Sequence, residues 1–215
     1  MTKKLTLLGM LSISLFSFAQ QKFSIIPSIG YAWRTAEIPK GISSEQKDYI
    51  KGLKSGINFD ISAYYHLKNE FAIGLKYSNY SASSNARITF QDVNGNFYSG
   101  NINTKDHITF FGPSVMYSNY NEEIKHKLFV DLGLGVISYV TKTGTVKGTG
   151  SNLGMEANFG YQYALAKNFF IGPKVGFTAG TLTKMKFNGQ VVDFEDNQRE
   201  GLHRVSLSAA ATFRF

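Results

Sequence analysis

The sequence predicts an all-β chain: an eight-stranded antiparallel up-and-down transmembrane β-barrel. Three observations predict it. Eight segments of at least ten residues alternate between a greasy and a polar face, the connections between them alternate between short and long, and every charged residue of those segments lies on the same face. Alternation at period two marks a strand with unlike sides, and a tilted strand crosses a bilayer in roughly 9–11 residues.

Taken in order, residues 1–19 read as a secretory signal peptide. Lys3 and Lys4 begin it, Leu5 to Phe18 form its apolar stretch, and Ser17-Phe18-Ala19 is a small-x-small site that places the cut before Gln20. The apolar run is too short and too broken by serine for a transmembrane helix. Residues 20–215 then form one barrel domain. The chain has no cysteine, which excludes a lipid anchor at the cut, disulfides and thiolate metal sites. Removing Lys3 and Lys4 takes the formal charge from +8 to +6, and the remaining basic residues are scattered, so no nucleic-acid partner is expected. The 21 Gly, 12 Tyr and 18 Phe suit strands and turns, and no amphipathic helical segment of useful length is found.

The eight segments are Lys22–Arg34, Leu53–Leu67, Glu70–Ser81, Asp106–Ser118, Lys127–Thr141, Ser151–Leu165, Phe169–Thr181 and Leu202–Phe215. Lys68-Asn69, Asn119–His126 and Ala166–Asn168 are the short connections; Thr35–Gly52, Ala82–Lys105, Lys142–Gly150 and Leu182–Gly201 are the long ones. Short periplasmic turns and long outer loops are the arrangement of bacterial outer-membrane barrels. Asn94-Gly95 and Asn188-Gly189 are hairpin signals inside two long loops. Their flanks are too short to span a bilayer, so they read as strands continuing above it, with a ten-stranded barrel as the competing count.

The apolar face holds residues such as Ile29, Trp33, Phe59, Leu75, Phe111, Leu134, Phe159 and Val175 and no charged residue in any segment; the opposite face holds glycines and charges. An eight-stranded barrel has an interior only just wide enough for its own side chains. The apolar residues are too many and too large for it, so they face lipid. Tyr65, Phe71, Tyr117, Tyr163, Phe169, Phe213 and Phe215 fall near the short-turn ends on the outward face, where an aromatic girdle sits. Pro27, Pro113 and Pro173 lie on that face too, and local bulges or distortions are expected at them. Arg34, Asp60, Lys76, Asp131, Glu156, Lys174 and Arg204 face the lumen as a structural charge network, with Asp60 and Lys76 on neighbouring strands at similar depth and Glu156 and Lys174 on another neighbouring pair at less similar depth.

Ser208-x-Ala210-x-x-Phe213-x-Phe215 at the C-terminus resembles the signal by which outer-membrane barrels are recognised for insertion, with Ala210 where that signal usually has Gly. With the signal peptide and the strand pattern, the whole mature chain is similar to the small Gram-negative barrel group that includes the OmpA transmembrane domain, OmpX and OmpW. The resemblance implies residence in the outer membrane, outer-membrane lipids and the barrel-assembly machinery as partners (the latter through the C-terminal strand), and a monomer. It also implies one of several roles: structural barrel, surface contact with an extracellular ligand through the loops, or carriage of small hydrophobic molecules. For carriage, inward Phe110, Phe129, Ile137 and Phe170 offer a partial apolar lining.

Catalytic chemistry finds little support. His66, His107, His126 and His203 have no metal-ligand spacing. A barrel lipid deacylase needs a lipid-facing His and Ser two residues apart with a carboxylate; His107-Ile108-Thr109 lacks the Ser and the acid, and Ser206 lies on the opposite face from His203. The reading is therefore a non-enzymatic structural or surface-interaction barrel without cofactor, with passage of hydrophobic molecules as the alternative. N-terminal sequencing of the membrane-extracted protein is expected to begin at Gln20; recovery of the chain as a soluble periplasmic protein would sink the barrel reading.

Overall fold

The computed structural model describes residues 22–36, 38, 41–68, 70–91, 95, 97–195 and 199–215; the signal segment and Asn94 lie outside them. The strands are β1 (Phe23–Arg34), β2 (Ser55–His66), β3 (Phe71–Gln91), β4 (Phe97–Ser118), β5 (His126–Thr143), β6 (Val146–Ala166), β7 (Phe169–Leu182), β8 (Lys184–Phe187), β9 (Gln190–Asp193), β10 (Glu200–Gly201) and β11 (Arg204–Arg214), with one helix, α1 (Ser44–Lys54). Strands β1 to β7 and β11 pair antiparallel around a closed ring, β11 returning to β1 in register from Ser24 opposite Arg214 to Arg34 opposite Arg204. Reciprocal backbone bonds between Phe23 and Phe215, 3.1 and 2.9 Å long, finish the seam at the short-turn end. The barrel has eight strands. The β8–β9 hairpin stands outside the ring and pairs only onto the upper edge of β6.

Burial alternates along the membrane-level parts of the ring strands as the sequence predicts, with Leu134 63 % and Leu153 77 % exposed on the outside. A soluble monomer rarely shows so large a continuous apolar surface, and lipid is the solvent that suits it. At the short-turn rim, outward aromatic residues meet in cross-strand pairs: Phe23–Tyr65, Phe71–Tyr117 and Phe169–Phe213, with ring centroids 5.0 to 5.1 Å apart. Such pairs add about 0.5–1.5 kcal/mol each beyond their area. Among the described residues no helix is long and apolar enough to cross a membrane.

The outer rim departs from expectation. Residues 82–91 and 97–105 continue β3 and β4, and the span read as a loop at 142–150 is mostly strand, turning at Gly144 with φ +58°. Above the membrane both faces are wet, so polar residues occupy both and the alternation that marks a strand fades. The result is lopsided: β3 to β6 form a tall wall, whereas β1, β2, β7 and β11 stop early. The wall's two free edges are covered, since α1 packs beside β3 and β8 pairs with β6. Unpaired strand edges invite association.

Helix α1 departs from the expectation that the chain holds no helical segment of useful length. Its signal was Ser43-x-x-Gln46: the Gln46 amide donates to Ser43 Oγ at 3.2 Å and the Ser43 amide to Gln46 Oε1 at 3.1 Å, a reciprocal cap. The Tyr80 hydroxyl donates to the Leu53 carbonyl at 2.9 Å and ties the helix end to β3. Asn188-Gly189 turns the β8–β9 hairpin with φ 46° and 99°, the doubly positive geometry such a turn requires.

The disturbance expected at the prolines takes the form of local gaps in the ladder beside Pro27, Pro113 and Pro173, without bulges. Pro113 breaks the β4–β5 pairing locally, but Phe111 opposite Val136 and Ser114 opposite Gly133 keep one register on either side of it. The register shift lies instead between Ala164 and Ala166. A missing N–H removes a ladder bond without requiring an extra residue. Beside Pro113 the strands come close: a Cβ on Gly112 would sit 2.3 Å from the Leu134 carbonyl oxygen and 2.6 Å from Gly135 Cα. Gly112→Val is expected to cost on the order of 1–3 kcal/mol by forcing the strands apart, seen as a lower midpoint of heat-dependent gel mobility, while valine at the open Gly100 leaves that midpoint unchanged.

Candidate functional site

Inward side chains converge on the barrel axis, so the lumen is where the chain concentrates its buried chemistry. Small residues set the walls: Gly160 lies under the Phe129 ring, which a Cβ there would meet at 2.0 Å. Large residues fill the space in three layers.

Nearest the short turns lies a cluster of Ile26, Tyr64, Ala72, Met116, Tyr120, Phe129, Phe170 and Ala210. Tyr120 comes from the β4–β5 connection, which folds back into the barrel base. Its hydroxyl donates to Gln162 Oε1 at 3.0 Å and lies 3.2 Å from Thr212 Oγ1; its carbonyl accepts from Arg214 at 2.7 Å and Lys127 at 3.3 Å. Burial pushes the Tyr120 phenol well up, so it remains a neutral hydroxyl. Ser24 Oγ and His66 Nε2 are 2.6 Å apart in this layer, a contact the sequence did not signal because the residues are 42 positions apart. Both side chains are buried, and His66 Nδ1 has no partner among the described residues, so no carboxylate orients the pair for nucleophilic work.

The middle layer is charged. Lys76 bonds Asp131 and lies 3.8 Å from Glu156, Lys174 bonds Asp60, and Arg204 lies 3.6 Å from Glu156. Neutral groups satisfy remaining oxygens: Ser78 donates to Glu156 at 2.5 Å, Thr178 to Glu156 at 3.1 Å, Asn158 to Asp131 at 3.0 Å and Asn58 to Asp60 at 3.2 Å. The sequence identified all six charged residues but not their partners. The expected neighbours Asp60 and Lys76, and Glu156 and Lys174, do not pair. In so narrow a barrel a long side chain reaches the axis, and depth along it chooses the partner more than strand adjacency does.

Arg34 is not part of this belt. It sits in the outer layer, 3.6 Å from Asp106, bonded to Glu200 and 5.4 Å above the Tyr139 ring, while the Tyr139 hydroxyl donates to Asp106 at 2.9 Å. Asp106 and Glu200 were the missed partners: one opened a predicted strand, the other lay in a predicted loop. Around them pack Ala32, Tyr80, Ile108, Phe110, Ile137, Leu182, Met185 and Leu202. Phe110, Phe129, Ile137 and Phe170 are thus divided between the two apolar layers, each at most 1 % exposed, and they fill the lumen there. Among the described residues no group of His, Cys, Asp and Glu could hold a metal ion.

Of the C-terminal signal residues, Ser208 and Ala210 face the lumen, and Phe213 faces outward against Phe169. Fold and filled lumen together define a small transmembrane β-barrel of outer-membrane type. The chain is similar in fold to Neisserial surface protein A, with TM-score 0.56 and 15 % identity over 90 % of this chain and 97 % of that one. It is also similar to the N-terminal β-barrel domain of Pseudomonas aeruginosa OprF (0.45, 15 %, 91 % and 98 %) and to the outer membrane protein OprG of the same organism (0.49, 11 %, 89 % and 96 %). No protein-family profile matches the sequence, and no curated protein matches it.

Lys76→Met is expected to destabilise the barrel by about 3–5 kcal/mol, because it leaves Asp131 charged and buried without its cation. Lys105→Gln, at an exposed outward position, should cost less than about 0.5 kcal/mol. Urea unfolding in lipid vesicles compares the two.

Proposed function

We propose that this protein is a non-enzymatic outer-membrane barrel with a structural and surface-contact role, its contacts made by the wall, helix and hairpin that stand above the lipid. The lumen carries this reading. Three carboxylates and three cations pair across the axis between two apolar clusters, which favours a closed interior over a conduit. The barrel wall itself must keep its backbone paired and its outside greasy, whereas surface elements on a rigid scaffold are free to bind. Residence in the outer membrane is supported by the predicted signal peptide and the lipid-suited exterior. Ser208, Ala210, Phe213 and Phe215 are the surface we assign to the barrel-assembly machinery, outer-membrane lipids are the surrounding partner, and the barrel works as a monomer.

Two measurements test this reading. Planar-bilayer recording of the purified chain is expected to show little steady conductance, and large stable porin-like currents would overturn the closed lumen. Excision of residues 184–193, or replacement of α1 by a short linker, should leave the barrel inserted while abolishing any surface-binding phenotype. If that phenotype survives the removals and follows Phe129→Asp instead, passage of hydrophobic molecules takes over.

A further inference from the structure

The outer surface of the tall wall carries charge of one sign. Lys105 on β4 stands opposite Lys142 on β5, and Lys142 opposite Lys147 on β6, all three exposed on the side that lower down faces lipid. Adjacent strands lie about 4.8 Å apart, and like charges placed directly opposite repel. Outward positions of β3 to β6 offer nothing to offset this: among the described residues they hold no Asp or Glu, and none of the three lysines makes an ion pair. Just below Lys142 and Lys147, a cleft of about 390 Å³ opens between the wall and the β8–β9 hairpin. Ser138, Thr149, Ser151, Lys184 and Lys186 line it beside Val140, Met185 and Val191. Asp193 stands opposite Lys184 within the hairpin, and the two lysines still outnumber it there.

We infer that this cleft and the lysine row above it form a binding site for the phosphate groups of an outer-leaflet lipid. Two lysines and three hydroxyl-bearing residues along one cleft, with a row of three more lysines above it, supply phosphate-binding chemistry. The position selects a lipid over a free anion: the site opens on the lipid-facing side of the wall, beyond outward Val136, Leu153 and Met155, so acyl chains can lie on the apolar band while the headgroup reaches the lysines. The inference rests on the outer-membrane reading given above, with the long connections outside.

The test uses the full mature chain in vesicles of phosphatidylcholine alone, with diphosphorylated lipid A, or with its dephosphorylated form. The midpoint of heat-dependent gel mobility is expected to rise only with the phosphorylated lipid, and the rise should shrink as sodium chloride screens it. K184Q/K186Q and K105Q/K142Q/K147Q should each lose much of that rise, yet match the parent in phosphatidylcholine, which separates binding from folding. A rise unchanged in both variants, or reproduced by inorganic phosphate added to phosphatidylcholine vesicles, overturns the site. Failure of the parent chain to insert in any vesicle overturns the barrel reading beneath it and is seen separately, as full digestion by added protease.

Discussion

Hydrocarbon offers no hydrogen bonds, and that constraint orders the whole molecule. Every backbone N–H and C=O at membrane depth must find a partner within the chain, so the first and last strands must meet. Here β1 pairs with β11 through a register that runs the length of both. Closure at eight strands then fixes the width of the interior, and the width decides what can occupy it. The alternation of small and large inward residues, such as Gly160 beneath Phe129, follows from this geometry.

Filling so narrow a space with charge is costly unless each charge is answered. Removing an ion from water costs several kcal/mol even after relaxation, and attraction to one partner repays it only when other polar groups complete the shell. Glu156 illustrates the arrangement: two cations lie within 3.8 Å, and Ser78 and Thr178 both donate to Oε2. An apolar filling of the same volume could be as stable. A charged belt has fewer ways to satisfy its groups than greasy side chains have.

The sequence revealed strands wherever their two faces met different solvents. In β1, Phe23, Ile25 and Ile29 alternate with Ser24, Ile26 and Ser28, and the period is plain even though one inward residue is apolar. Above the membrane that contrast disappears, and with it the signal: Ser83-Ser84-Asn85 reads as loop yet continues β3. Helix α1 left only its cap in the sequence, because it buries no residue and so has no greasy stripe to betray it. The luminal charges were recognisable as a set, since they break an otherwise small-residue face. Their pairing was not, because Asp60 and Lys174 meet across the barrel from positions 114 residues apart, and no local rule relates them.

The unequal height of the strands has a consequence for how the molecule stands among its neighbours. A barrel ending in a level rim looks alike from every side, and turning it about the membrane normal changes nothing that an approaching body meets. Here β4 spans 22 residues and β11 spans 11, so one flank rises as a screen while the other lies low. The protein therefore has a compass bearing in the plane of the membrane, and rotation about its own axis becomes a variable with physical meaning.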